Sequence, residues 1–269
     1  MHADLPRIAE RARQQVERDA SRRDLASLQS AARGLPQPRN FFRALVDPEI
    51  GPPFRLVGGL DGPGVVVANA FDPELMARRY QRAGASALAV FESPSDADPI
   101  PEERSVLASL RNTTPLPVLH HRLVVDPYQL WQSRIAGADA VLLMAEVLTE
   151  GEVIDFQILA RELGMTAVIE VRDEWNLLRV IRHVGFPDAA GCLLAIDNRD
   201  PETGMADPAR TVRLAGLIEE RPIILSEHGL RQPSDVVALR RLGVHAGLVA
   251  QEAGDEDPVE RLARLLEPA

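Results

Sequence analysis

The chain has 269 residues, 45% of them hydrophobic and 26% charged, with one cysteine and a net charge of −10. That length suits a (β/α)8 barrel of about 250 residues, and the apolar content is enough for a large core, which argues against disorder. The acidic balance argues against a nucleic-acid or anionic-membrane surface, Cys192 alone rules out an intrachain disulfide, and no apolar run approaches the ~20 residues of a membrane helix.

The N-terminal stretch 5–33 carries Ile8, Ala12, Val16, Ala20, Leu25 and Leu28 at helical spacing among many charges, which predicts one or two amphipathic helices. Pro36 and Pro38 break that pattern, and Phe41, Phe42 and Leu45 then mark a short docking helix. From Phe54 onward the pattern alternates. Strands are expected at 54–58, 87–91, 117–119, 139–144, 166–171, 191–196, 222–225 and 245–249. Helices are expected at 72–83, 101–110, 126–137, 150–163, 173–184, 208–218, 234–242 and 258–266. Asp-Pro pairs open several of these helices and glycines close them, as at Asp126-Pro127 and Gly137. Short βα units in series mean a barrel or a doubly wound sheet, and eight of them favour the barrel. The expected architecture is an α/β (β/α)8 TIM barrel with an N-terminal helical extension. It forms one domain over 1–269, with helices in 1–48 and the barrel in 54–269. No signal peptide is legible at the N-terminus, so the expected location is cytoplasmic.

In such a fold, polar residues at strand C-termini face the ligand. The strand ending in Pro117-Val118-Leu119 leads into His120 and His121, which puts His121 where chemistry is expected. All 30 basic Lys+Arg residues are arginine, so no step can use a lysine amine as acid, clamp or Schiff-base nucleophile. No Gly-x-Gly-x-x-Gly or P-loop motif is present, so nucleotide binding lacks support. His121 and His228 could converge with Glu170 or Asp197, a known type of ligand set. Without local spacing, however, the expectation is no metal and no cofactor. Cys192, Trp131 and Trp175 read as packing residues.

The order and spacing of several fragments resemble the indole-3-glycerol phosphate synthase family, along nearly the whole chain. They are Pro117–Leu119 with Asp126 and Tyr128-Gln129, the run from Ala136 to Leu143, Leu163–Met165, Ile169–Asp173, Ile196–Asp200 and Leu225–Leu230. The resemblance implies a carboxy-lyase of tryptophan biosynthesis that closes an indole ring with loss of CO2 and water. Such a reaction needs a cation for the substrate carboxylate, a general acid, a proton-transfer carboxylate and a phosphate cradle.

Against that pattern, Gly59 stands where the family has its first lysine, Val57 where it has a glutamate, and Gly62 where it has a serine. His121 replaces the general-acid lysine, and Leu123 replaces an aromatic. Glu170 matches the proton-transfer glutamate, and Glu92 matches a second acidic position, both expected at the barrel mouth. Arg199 matches a substrate-contacting arginine, and Asp197 replaces an asparagine. In the phosphate cradle Glu227 and Gly229 fit, while His228 replaces a serine. Ala250-Gln251-Glu252 replaces Gly-x-Ser, and Glu252 is expected to compete with phosphate for backbone N–H groups. His121, Glu170 and Glu92 are therefore the candidate catalytic residues. Arg199, Asp197, Glu227, His228, Gly229, Ala250 and Gly59 are the candidate substrate-binding residues.

Three functions follow from these readings. The first is a barrel that has lost most or all of the ring closure and keeps a ligand-binding or regulatory role. The second is an enzyme using His121 and Glu170 as acid and base on another small anionic substrate. The third is a synthase that is still active. The expected partners are a small anionic molecule or a protein, with no nucleic acid and no membrane.

Overall fold

The computed structural model describes residues 5–47, 49, 54–61, 72–92, 105–186, 191–200, 203, 205–219, 222–252 and 256–267. Three helices lead: α1 (Leu5–Arg22), α2 (Leu25–Ala32) and α3 (Phe41–Val46). The strands are β1 (Arg55–Asp61), β2 (Ala87–Glu92), β3 (Val118–Arg122), β4 (Ala140–Met144), β5 (Thr166–Val171), β6 (Cys192–Asp197), β7 (Ile224–Glu227) and β8 (Ala246–Val249). One helix follows each strand: α4 (Pro73–Arg82), α5 (Val106–Thr113), α6 (Pro127–Ala136), α7 (Glu150–Glu162), α8 (Glu174–His183), α9 (Ala209–Ala215), α10 (Pro233–Arg241) and α11 (Pro258–Leu265). The strands close in sequence order into an all-parallel barrel, with β1 hydrogen-bonded to β8. This is the expected (β/α)8 fold.

Local chemistry explains the boundaries. Asp126 caps α6 in a capping box with Gln129, Pro127 occupies the first turn, and Gly137 ends the helix at φ 96°. A side chain at Gly137 would be strained in that left-handed conformation. Thr149 and Glu152 form the same box at the start of α7. Asp72, Asp173 and Asp257 cap α4, α8 and α11.

Side-chain alternation divides the core. Outward residues such as Leu88, Val90, Leu143, Ile169 and Leu194 pack under the helices. Inward residues such as Val57, Ala89, Leu119, Leu142, Val168 and Leu248 fill the barrel. Cys192 is buried in the outward layer, in keeping with a packing role. Trp131 packs against the inward cluster, but Trp175 is 70% exposed, which corrects the expectation that it packs. Arg179 lies over the Trp175 ring at 5.2 Å, so a cation takes the place of a packed neighbour.

The N-terminal helices dock on the barrel. Tyr128 Oη donates to the Arg23 carbonyl at 2.7 Å, and Gln132 Nε2 donates to Asp19 at 3.0 Å, tying α1 and its link to α2 onto α6. The Phe42 N–H donates to Thr166 Oγ1 at the start of β5, which places α3 at the N-terminal end of the barrel.

Strand ends differ from expectation in ways that matter for the site, and β1 runs to Asp61, three residues beyond its expected end. β3 runs through His120, His121 and Arg122, because its ladder with β2 pairs Phe91 with His121 and Glu92 with Arg122. β7 begins two residues later than expected and includes Ser226 and Glu227, paired with Ile196 and Asp197 of β6. In β3 and β7 backbone pairing continues past the last apolar residue, so polar side chains stand within the sheet. Helix α5 ends at Thr113, three residues beyond expectation, and residues 101–104 of its expected start lie outside the described residues.

Candidate active site

At the C-terminal mouth, the inward positions of β1, β2, β3, β5, β6 and β7 end in Asp61, Phe91, His121, Glu170, Asp197 and Glu227. His121 Nε2 and Glu227 Oε2 share a hydrogen bond of 3.1 Å, in which the carboxylate accepts. The same nitrogen lies 3.8 Å from Glu170 Oε2. Arg172 reaches three carboxylates: Glu170 at 3.2 Å, Asp197 at 2.9 Å and Glu146 at 3.3 Å. The Phe91 ring packs 4.3 Å from the His121 ring and 5.9 Å from that of His228, closing the apolar side of the cluster.

Burial sets the protonation states. Burial pushes Glu170 up to about 8, helped by Asp197 and Glu227 and opposed by Arg172 and His121. For His121, burial acts downward, but Glu227, Glu170 and Asp197 outweigh it and raise its pKa. Burial and Arg199 lower His228 to about 4 against the pull of Asp197. Burial opposes ionisation of Asp197 too, yet the Arg172 guanidinium and the Arg199 N–H hold it low. Of that pair, Asp197 carries the charge and His228 stays neutral. His228 Nδ1 sits 3.1 Å from Arg199 Nη2, and since arginine can only donate, Nδ1 accepts and Nε2 carries the proton.

The loop after β7 is held from below. Asn198 Nδ2 donates to Ser226 Oγ and to the carbonyls of Glu227 and His228, while its Oδ1 accepts from Thr211. His228 adopts φ 63°, the only positive φ outside glycine among the described residues, and Gly229 follows at 83°. The two turn the backbone so that the Gly229 N–H points back across the mouth, and there it meets Glu252. Glu252 Oε1 accepts from Gly229 N–H at 2.9 Å, and Oε2 pairs with Arg231 at 3.3 Å. Glu252 is thus already engaged on both oxygens, one with the Gly229 N–H and one with Arg231.

Gly58 and Gly59 both belong to β1. They lie mid-strand and are packed on both faces. A Cβ on Gly58 would meet the Tyr80 ring at 2.5 Å, and one on Gly59 would meet Ala250 Cβ at 2.4 Å and Phe91 at 2.8 Å. Tyr80 Oη donates to the Gly59 carbonyl at 3.1 Å, which fixes the strand from outside. The space above Gly59 is therefore filled by the methyl of Ala250. Gly62, Pro63 and Gly64 lie outside the described residues. Introducing lysine by Gly59→Lys is expected to cost about 1–3 kcal/mol through overpacking. Adding Ala250→Gly should recover most of that. Urea denaturation of both singles and the double gives the coupling, and additive effects would show that the two positions do not compete for space.

Glu92 needs a correction. The alternation that turns Phe91 inward turns Glu92 toward the helices, away from the mouth. It lies 2.9 Å from His120 Nε2 and 3.6 Å from Arg122, while His120 Nδ1 contacts Ser133 of α6 at 2.9 Å. Burial would raise Glu92, but Arg122 and His120 outweigh it and hold the carboxyl at about 2, the state of a structural ion pair. Of the ten candidate residues, the structure gathers His121, Glu170, Asp197, Glu227, Arg199 and His228 into one network. Gly229 pairs with Glu252, Gly59 and Ala250 meet each other, and Glu92 stands apart. Sequence reasoning missed Arg172, Phe91, Asp61 and Asn198, although strand alternation from Glu170 would have flagged Arg172.

The sequence profile of the indole-3-glycerol phosphate synthase family matches residues 5–265. The chain is similar to the indole-3-glycerol phosphate synthase of Desulforamulus reducens, 34% identical over 249 residues, 92% of this chain and 90% of that protein. It is similar to that of Rhodopirellula baltica at 33% over 247 residues, 92% of each chain. The protein so named from Acidithiobacillus ferrooxidans is 31% identical over 250 residues, 91% of this chain and 90% of its own. With its closed eight-stranded barrel and a match that spans almost its whole length, the chain belongs to the indole-3-glycerol phosphate synthase family.

Proposed function

We propose that this family member has lost most or all of the decarboxylating ring closure and keeps the barrel for binding a small ligand or a protein partner. The observation that carries this reading is Glu252 on the Gly229 N–H, 2.9 Å apart, where the resemblance expects substrate phosphate. A carboxylate there repels a phosphate and takes its hydrogen bond. The same reading is supported at the two other places where the resemblance calls for a cation. Gly59 carries no side chain and Ala250 fills its corner, and His121 is engaged with Glu227 instead of projecting an ammonium group. Removing one oriented electrostatic group typically costs ~10²–10³ in rate. Several are absent together, so little of the family rate should survive even without additivity.

The test is complementation. The gene is expected not to restore growth without tryptophan to a bacterial strain lacking this synthase, while giving soluble protein in the same cells. Growth at the rate given by an active relative would overturn the proposal, and the chain would then be a working carboxy-lyase of tryptophan biosynthesis.

A further inference from the structure

We propose that His121, Glu170 and Glu227 form a binding site for a divalent first-row metal ion, Zn²⁺ in the first instance, at the mouth of the barrel. This does not depend on whether ring closure is lost. The ligand atoms come from the ends of β3, β5 and β7, and one atom from each residue lies within 4.8 Å of the other two. Around an ion with bonds of about 2.0–2.2 Å, neighbouring ligand atoms stand roughly 3–4 Å apart. His121 Nε2 lies 3.1 Å from Glu227 Oε2 and 3.8 Å from Glu170 Oε2, so two of the three spacings already suit ligands before any ion arrives, and the third is within 4.8 Å.

Buried oxygens without partners point the same way. Glu170 and Glu227 are 2% and 1% exposed at their side chains. Glu170 Oε2 and Glu227 Oε1 find no hydrogen-bond donor among the described residues. Such atoms are costly unless something satisfies them, and a cation does so most strongly. Arg172 cannot reach them, because it is already shared among Glu170 Oε1, Asp197 and Glu146. His121 is partly exposed, so an ion has a route in and a position left for water. One histidine and two carboxylates suit a borderline ion better than a soft one.

A second set, Asp197, Glu227 and His228, also lies within 4.8 Å, but its chemistry is wrong. Arg199 donates to His228 Nδ1, so Nε2 bears hydrogen and offers no lone pair. The site therefore centres on His121.

Chelator-treated protein should take up one equivalent of Co²⁺, used as a visible stand-in for Zn²⁺, and Zn²⁺ should displace it. His121→Ala and the isosteric Glu227→Gln should each weaken binding beyond the 10–100-fold typical of losing an outer-shell partner. His183→Ala, which removes an exposed histidine of α8, should bind as wild type does. Anomalous scattering from a Co²⁺-soaked crystal locates the ion without any variant. Density between His121 Nε2 and the two carboxylates supports the site. No uptake, density elsewhere, or undiminished binding by Glu227→Gln overturns it.

Discussion

Arg172→Met is expected to lower stability by about 3–5 kcal/mol at pH 8, the range measured when one partner of a buried ion pair is removed. For a chain of this size that corresponds to a fall in Tm of roughly 10 °C. The guanidinium is 11% exposed and serves Glu146, Glu170 and Asp197, so its loss strands the buried Asp197 charge and removes the cation that favours ionised Glu170. Methionine fills the volume but offers no charge, which isolates electrostatics from packing. The loss should shrink at pH 5.5, because stranded carboxylates relieve their burial by taking protons. Arg172→Lys should recover only part of it, since an ammonium is a point charge and cannot fork to three partners. If the Arg172→Met variant melts within about 2 °C of wild type at pH 8, these pairs contribute no more than exposed ones.

Arg172 also shows where sequence reading stops. The fold was legible because each boundary has a local cause. Asp126, Pro127, Gln129 and Gly137 specify α6 within one residue at each end, whatever the rest of the chain does. The site was legible only to the level of strand ends. His121 was identifiable as a mouth residue, but its partner Glu227 lies 106 positions away, and only barrel closure brings the two together. Glu92 was misplaced because a matching motif position was taken without its parity, and parity decides which face a side chain occupies. Glu252 was legible as an acid after β8, but its acceptor role on Gly229 depends on the left-handed turn at His228, which no spacing encodes. The packing of Ala250 against Gly59 was invisible for a related reason. Each residue is ordinary alone, and the conflict appears only when β1 closes against β8.

Glu170→Gln is expected to stabilise the apo protein at alkaline pH and to leave it unchanged below about pH 4.5. The folded-state pKa of Glu170 is raised to about 8 from an ordinary 4.5, chiefly by burial. Below pH 4.5 both folded and unfolded chains hold the proton, so the group has no effect. Between 4.5 and 8 the unfolded chain releases it while the folded chain keeps it, so stability falls as pH rises. Above 8 the folded carboxylate ionises and the penalty levels off. His121 adds to the same trend, because its raised pKa gives stability that is complete below 6.5 and is lost as pH rises through the folded value. Glutamine mimics the protonated acid at every pH, still accepts from Arg172, and turns a donor toward the unpartnered oxygen of Glu227. At about 1.4 kcal/mol per pKa unit, discounted for coupling within the cluster, the gain should be on the order of 2 kcal/mol at pH 8. Urea melts of both proteins from pH 4 to pH 9, with chelator present, measure it directly. The wild-type curve should fall with pH, and the curve of the Glu170→Gln variant should be flatter. Parallel curves would mean that Glu170 is ionised at neutral pH and that Arg172 alone compensates its burial.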